Sequence, residues 1–290
     1  MSDARRGVLL GLAAYAAFAL SDAFIKTLGG KIPMFQLLFI GALLGPLALP
    51  LARQPGEQWI DLLRPRLPAI WFGRAVAGAI NAFGALVAFT RLPMAEAFAL
   101  IFLMPIFVTL LSVPVLGEQV GWRRWTAVVA GFLGVLVVLR PGFRELDAGH
   151  VAAIFCGLGG AFGVVLMRLA RGREHRITLY GTHLLGNLAV GGLLMWPAWV
   201  MPTPVQWLQA LGYGLLAAAG GVLLLRATLA TEVSHVAPTQ YSQMLWAVAL
   251  GWFLFDDRID ALTWLGIAII IAAGLFTVLR EGQGRSPPRA

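Results

Sequence analysis

Charge is scarce in this chain, and so are the residues that build catalytic or metal centres. Only 12% of its 290 residues are Asp, Glu, Lys or Arg, about half the share of an ordinary soluble domain. Cys156 is the single cysteine, which rules out an intramolecular disulfide and a cysteine metal cluster. Within an apolar block it reads as a small packing residue. The four histidines, His150, His175, His183 and His235, fall at or near different block ends without metal-ligand spacing, so no metal site is expected. The chain lacks a GxxxxGK run followed by Ser or Thr, and ATP hydrolysis is excluded as an energy source. A lipid-modifying membrane enzyme would need paired acids or histidines near an interface, and none is found. No catalytic residue and no cofactor are therefore expected.

What the chain has in abundance is apolar length: 59% of its residues are hydrophobic and its mean hydropathy is +0.80. They fall into ten blocks, at about 7–28, 34–52, 68–90, 93–116, 124–139, 149–170, 177–200, 205–230, 235–255 and 261–279. A bilayer core of roughly 30 Å takes about 20 apolar residues per helix, so the expected fold is an all-α integral membrane protein with ten transmembrane helices. The first block is too long for a cleaved signal sequence and lacks a small-residue cleavage site, so it reads as a signal anchor. The loops are short, and the charged 53–66 segment is the longest.

The formal charge of +8 is a topology signal. With the N-terminus in the cytoplasm, fifteen basic residues fall on the inner side. These are Arg5, Arg6, Arg53, Arg64, Arg66, Arg123, Arg124, Arg168, Arg171, Arg173, Arg176, Arg226, Arg280, Arg285 and Arg289. Only Lys26, Lys31, Arg91, Arg140, Arg144 and Arg258 fall outside. That bias places both termini in the cytoplasm of a bacterial inner membrane. The bilayer, and not nucleic acid, is the expected macromolecular partner, and the chain is expected to act as a monomer.

The second half echoes the first. Residues 90–139 superpose on 229–278 with a shift of about 139, bringing Phe102 onto Tyr241, Glu118 onto Asp257 and Trp125 onto Trp264. Five spans per half is an odd number, so the halves, 1–145 and 146–290, enter the membrane from opposite sides as inverted repeats. Lys26 and Arg168 then occupy equivalent positions on opposite faces, as do Glu118 and Asp257. Such repeats enclose a central cavity near the midplane that rocking exposes to each side in turn. The small-residue spacings Gly41 to Gly45 and Gly159 to Gly163 allow helices to approach closely.

Four stretches carry a family resemblance: Leu20-Ser21-Asp22-Ala23-Phe24-Ile25-Lys26, Pro93-Met94-Ala95-Glu96-Ala97, Leu116-Gly117-Glu118-Gln119-Val120 and Ala237-Pro238-Thr239-Gln240-Tyr241-Ser242-Gln243. The chain resembles the EamA branch of the drug/metabolite transporter superfamily, and within it the YddG-type amino-acid exporters. The resemblance implies two inverted five-helix repeats around a central cavity and export of small metabolites by alternating access. Amino acids, apolar or aromatic ones foremost, are the expected substrates; drugs, cofactor precursors or metallophores are the alternative. One departure is Asp256-Asp257, where the family carries Gly-Glu, an exchange of small expected consequence in a loop.

Polar groups inside hydrocarbon mark sites or interhelical ties. Gln240 and Gln243, three apart, share a face of the ninth block beside Tyr241 and Trp246, whereas the matching stretch of the fourth block offers Phe98, Phe102 and Phe107. The expected substrate pocket combines Phe98, Phe102, Gln240, Tyr241, Gln243 and Trp246 with Asn81 from the third block: one oily wall and one amide-bearing wall. Asp22 and Lys26 are gate or coupling candidates, four apart and expected to pair across one turn. A fixed partner for Asp22 argues for facilitated diffusion over proton coupling. Glu96 and Glu232 sit near the mouths of the fourth and eighth blocks, where Glu96 is expected to cap a helix N-terminus; Arg74 is expected to snorkel to the cytoplasmic interface, and His183 to bond another helix.

Overall fold

The computed structural model describes residues 3–118, 121–140, 146–170, 172–231 and 236–283. Glu232, His235, Arg144, Arg171, Arg285 and Arg289 lie outside the described residues. Within them the regular structure is entirely helical: α1 (Asp3–Leu28), α2 (Met34–Leu44), α3 (Pro68–Arg91), α4 (Met94–Ile101), α5 (Met104–Leu116), α6 (Trp122–Leu139), α7 (Ala148–Leu169), α8 (Arg176–Leu194), α9 (Pro204–Ala230), α10 (Ser242–Phe255) and α11 (Ala261–Gln283). Among the described residues six stretches are long and apolar enough to cross a bilayer: Arg5–Leu28, Pro68–Arg91, Met94–Leu116, Ala148–Leu169, Arg176–Leu194 and Pro204–Ala230. Shorter apolar helices run over Met34–Leu47, Val128–Leu139 and Ala261–Ala273.

Prolines divide blocks that hydropathy alone runs together. Pro105 has no N–H for the Ile101 carbonyl, and the fourth block breaks there into α4 and α5. Pro46 sits in the 3-10 turn Gly45–Ala48 that ends α2, and Pro238 in the turn Ala237–Tyr241 that precedes α10.

The packing is reciprocal between halves. The longest contacts run α1 along α9 and α7 along α3; α6 lies against α11, α2 against α8, and α4 against α10. Glycine sets the closest approaches. A Cβ on Gly159 of α7 would stand 2.9 Å from the Ala77 carbonyl oxygen of α3, and one on Gly84 of α3 would stand 2.7 Å from that of Ala152. Gly41 makes room for the Tyr213 ring of α9, and Gly45 for Leu184 of α8. The interior is filled by Phe89, Met94, Phe98, Phe102, Met244 and Ile270. Outside, Leu43, Phe72, Leu193, Leu208, Leu245 and Phe253 are each more than half exposed. An apolar skin of that extent is one that lipid, not water, solvates.

Candidate functional site

A dense polar junction lies at the bundle end that carries Lys26. Helix α10 stops at Phe255 because Asp256 turns left-handed (φ 50°), after which the Asp257 N–H reaches back to the Gly251 carbonyl at 3.0 Å. This stop aims the Asp257 carboxylate across the bundle. The Lys26 ammonium on α1 donates to both its oxygens, at 2.9 and 2.7 Å, and to the Leu92 carbonyl at 3.0 Å. The Met94 N–H at the start of α4 donates to the same carboxylate at 2.9 Å. Gly251 leaves the room this needs, since a Cβ there would meet Asp257 Oδ2 at 3.0 Å. The expected Asp22–Lys26 pair is thereby corrected: Lys26 goes to a residue 231 positions away, which holds it with two oxygens.

The opposite end repeats the device in looser form. Helix α5 stops at left-handed Gly117 (φ 68°), and the Glu118 N–H bonds the Ser112 carbonyl at 3.3 Å. Glu118 Oε1 then lies 3.9 Å from the Arg168 guanidinium of α7. The side chains of this pair are 40% and 37% exposed, against 15% and 13% for Lys26 and Asp257. One pair is closed and desolvated, the other open and wet.

Arg74 departs from expectation, and Glu96 does more than expected. Glu96 lies in the first turn of α4, buried with Oε1 at 2.9 Å from His150 Nε2, while the Met94 N–H is taken by Asp257. His150 Nδ1 accepts the Asp147 N–H at 2.9 Å, which assigns Nε2 as the donor toward Glu96. Arg74, only 7% exposed, does not snorkel: its guanidinium donates to the Gly163 and Leu179 carbonyls, tying α3 to α7 and α8. His183 of α8 packs against Gly78 of α3.

Some of the expected pocket residues come together. Phe89, Phe98, Phe102 and Tyr241 form a chain of rings with centroids 4.8, 5.9 and 5.7 Å apart, the last contact edge to face between α4 and the turn before α10. The buried Tyr241 hydroxyl has no hydrogen-bond partner among the described residues. Gln243 faces α1, its Nε2 at 3.4 Å from Asp22 Oδ2, and Gln240 is half-buried one turn before it. Asn81 donates to the Cys156 carbonyl at 2.9 Å and contacts its sulfur at 3.3 Å, an interhelical tie from α3 to α7. Trp246 stands apart: it is 43% exposed, one heptad before the outward Phe253, while Met244, Ala247 and Gly251 face inward. Phe107 lies half-buried against the core. Sequence reasoning missed the Lys26–Asp257 and Glu96–His150 pairs, although the superposition of Glu118 on Asp257 was the signal for the first.

Among the described residues the two ends thus carry ion pairs of unequal closure, one tight and desolvated and one loose and exposed. The sequence model of the EamA-like transporter family matches twice, over residues 5–140 and 147–279. Among similar proteins, the pseudopaline exporter of Pseudomonas aeruginosa is 27% identical over 93% of this chain and 94% of its own. A riboflavin transporter of Rhizobium johnstonii is 28% identical over 83% and 79%, and an S-adenosylmethionine uptake transporter of Rickettsia prowazekii is 24% identical over 99% and 98%. One solved crystal structure superposes with a TM-score of 0.61 across 97% of this chain and 99% of its own, at 20% identity, and shares the fold. With both matches together spanning nearly the whole sequence, the chain belongs to the EamA-like transporter family.

Proposed function

We propose that this protein is a secondary carrier of the bacterial inner membrane that moves a small metabolite by alternating access. In this reading ten spans form two inverted repeats, residues 1–145 and 146–290, with both termini in the cytoplasm and a monomer as the working unit. The observation that carries it is the pair of ion bridges: Lys26 with Asp257 at one end and Arg168 with Glu118 at the other. Each bridge joins one half to the other. The reciprocal contacts, α1 with α9 and α7 with α3, support the same symmetry, as do the two family matches. The fifteen-to-six distribution of basic residues puts the Lys26 end in the periplasm. The conformation is then shut toward the periplasm by the tight pair and held toward the cytoplasm by the loose one.

The substrate reading moves from amino acids to the alternative. The relatives' names give pseudopaline, riboflavin and S-adenosylmethionine, metabolites of the cofactor and metallophore kind. The ring chain from Phe98 to Tyr241, with Gln240 and Gln243 beside it, suits a planar or apolar body with polar substituents. Exporters and uptake carriers both occur among the relatives, so a reversible carrier whose gradient sets direction fits the scaffold. A liposome uptake panel of labelled riboflavin, S-adenosylmethionine and phenylalanine tests this. Uptake of a cofactor-like probe above phenylalanine, lowered about tenfold by Tyr241→Ala or Gln243→Ala, supports the reading. Uptake of phenylalanine alone returns the substrate to the amino acids.

A further inference from the structure

Each carboxylate in the junctions described above is compensated except one. Asp257 holds Lys26 and the Met94 N–H, and Glu96 holds His150. Glu57 accepts the N–H groups of Gln54, Arg176 and Ile177. Asp22 has none of this. It lies six residues inside the Leu28 end of α1, about 9 Å along the helix axis, yet retains accessible surface. Its one hydrogen bond among the described residues is the 3.4 Å contact from Gln243, long against the usual 2.9 Å or so. No lysine, arginine or histidine among the described residues forms an ion pair with it. Two donors near it in sequence are committed elsewhere: Lys26 to Asp257, and the Ser21 hydroxyl to the Tyr213 carbonyl at 2.8 Å.

An uncompensated acid inside a membrane bundle marks a place where a positive group binds. We infer that Asp22 and Gln243 form the recognition site for a cationic nitrogen of the transported metabolite, a protonated amine that carries the missing charge with it. The ammonium donates to the Asp22 carboxylate, and the Gln243 carbonyl oxygen accepts a second N–H once the amide turns. Asp22 sits on the first half and Gln243 on the second, so the ligand bridges both repeats while the Lys26–Asp257 pair, one turn of α1 further out, closes above it. The inference rests on the carrier reading and adds the charge class of the substrate.

The test uses the full-length protein in proteoliposomes and needs no variant at the start. Dicyclohexylcarbodiimide, which modifies carboxyl groups within membranes, is applied and the Asp22 peptide is quantified by mass spectrometry. Competitors are S-adenosylmethionine, phenylalanine and putrescine as amines, and riboflavin and N-acetylphenylalanine as compounds without an ammonium group. At least one amine should slow modification about tenfold, with neither uncharged-nitrogen compound doing so. Protection by no amine, or equal protection by N-acetylphenylalanine, overturns the proposal and leaves Asp22 to carry a proton only. The variants then divide amine from neutral transport: Asp22→Asn should lose counterflow of the protecting amine, and Asp22→Glu should restore part of it. The two readings fail differently. Absent counterflow for every compound with amine protection intact sinks the carrier, whereas riboflavin counterflow without amine protection sinks the Asp22 site.

Discussion

Lys26 and Arg168 carry the same formal role and differ in worth because of what surrounds them. Lys26 and Asp257 are both largely removed from water and share their hydrogen bonds with backbone groups; removing one partner strands the other. Lys26→Met should therefore cost about 3 kcal/mol of stability, and Arg168→Gln, at a pair 3.9 Å apart and well exposed, under about 1 kcal/mol. Thermal unfolding of the two variants in detergent checks the order, and equal losses would contradict it. Asp147 and Asp260 supply the pH dependence. The N–H groups of Gly149 and Thr263 hold their carboxyls below the usual carboxylate range, helped by Arg91 and Arg140. A group whose folded pKa is depressed stabilises above its unfolded value, about 3.9, and loses that contribution as pH falls through the folded value. Unfolding followed from pH 5 downward should steepen below about pH 4, and the Asp147→Ala, Asp260→Ala double variant should flatten that fall. At this scale the sequence was a partial guide: helical spacing placed Asp22 beside Lys26, but a partner 231 residues away has no local signature.

Helices α5 and α10 end alike, in a left-handed residue followed by the acid that crosses to the other half, and only one of them uses glycine. The exchange expected to matter little in a loop thus falls on a conformation that costs a residue with a Cβ about 1 kcal/mol. Asp256→Gly should raise stability by roughly that amount, with the Lys26 bridge unchanged; a loss would mean that Asp256 holds its turn by other contacts. The α3–α7 crossing predicts the reverse sign. A side chain at Gly159 meets the α3 backbone, which has no flexible end to give way, so Gly159→Leu should cost about 3 kcal/mol or more and leave little folded protein by size-exclusion chromatography. Gly163, its partner in the sequence spacing, has only the Ala77 Cβ at 4.0 Å and should tolerate alanine. The spacing was legible, but which glycine meets backbone depends on the crossing point. The break between α4 and α5 was legible in principle, since Pro105 removes one helix hydrogen bond; hydropathy hid it because both sides are apolar.

Across the whole molecule, hydropathy made the helical membrane architecture readable, because nothing but lipid solvates so much exposed Leu, Phe and Trp. The superposition of Phe102 on Tyr241 pointed to two rings that the structure brings edge to face at 5.7 Å. Trp246 is 43% exposed on α10, and composition does not tell an inward aromatic from an outward one, because a helix in lipid carries aromatics on both faces. The two end bridges give the carrier reading a consequence at the same scale. Asp257→Asn should unlatch the Lys26 end, and a cysteine replacing Gln243 in a Cys156→Ala background should then react about tenfold faster with a membrane-impermeant thiol reagent from the periplasmic side. The central claim is a carrier whose halves expose one site to each side in turn, and trans-stimulated counterflow in proteoliposomes tests it most directly. Label from a cofactor-like metabolite should enter several-fold faster when the same unlabelled metabolite is inside, without ATP. Label entry indifferent to internal metabolite would contradict it, because a passive pore, not an alternating site, behaves that way.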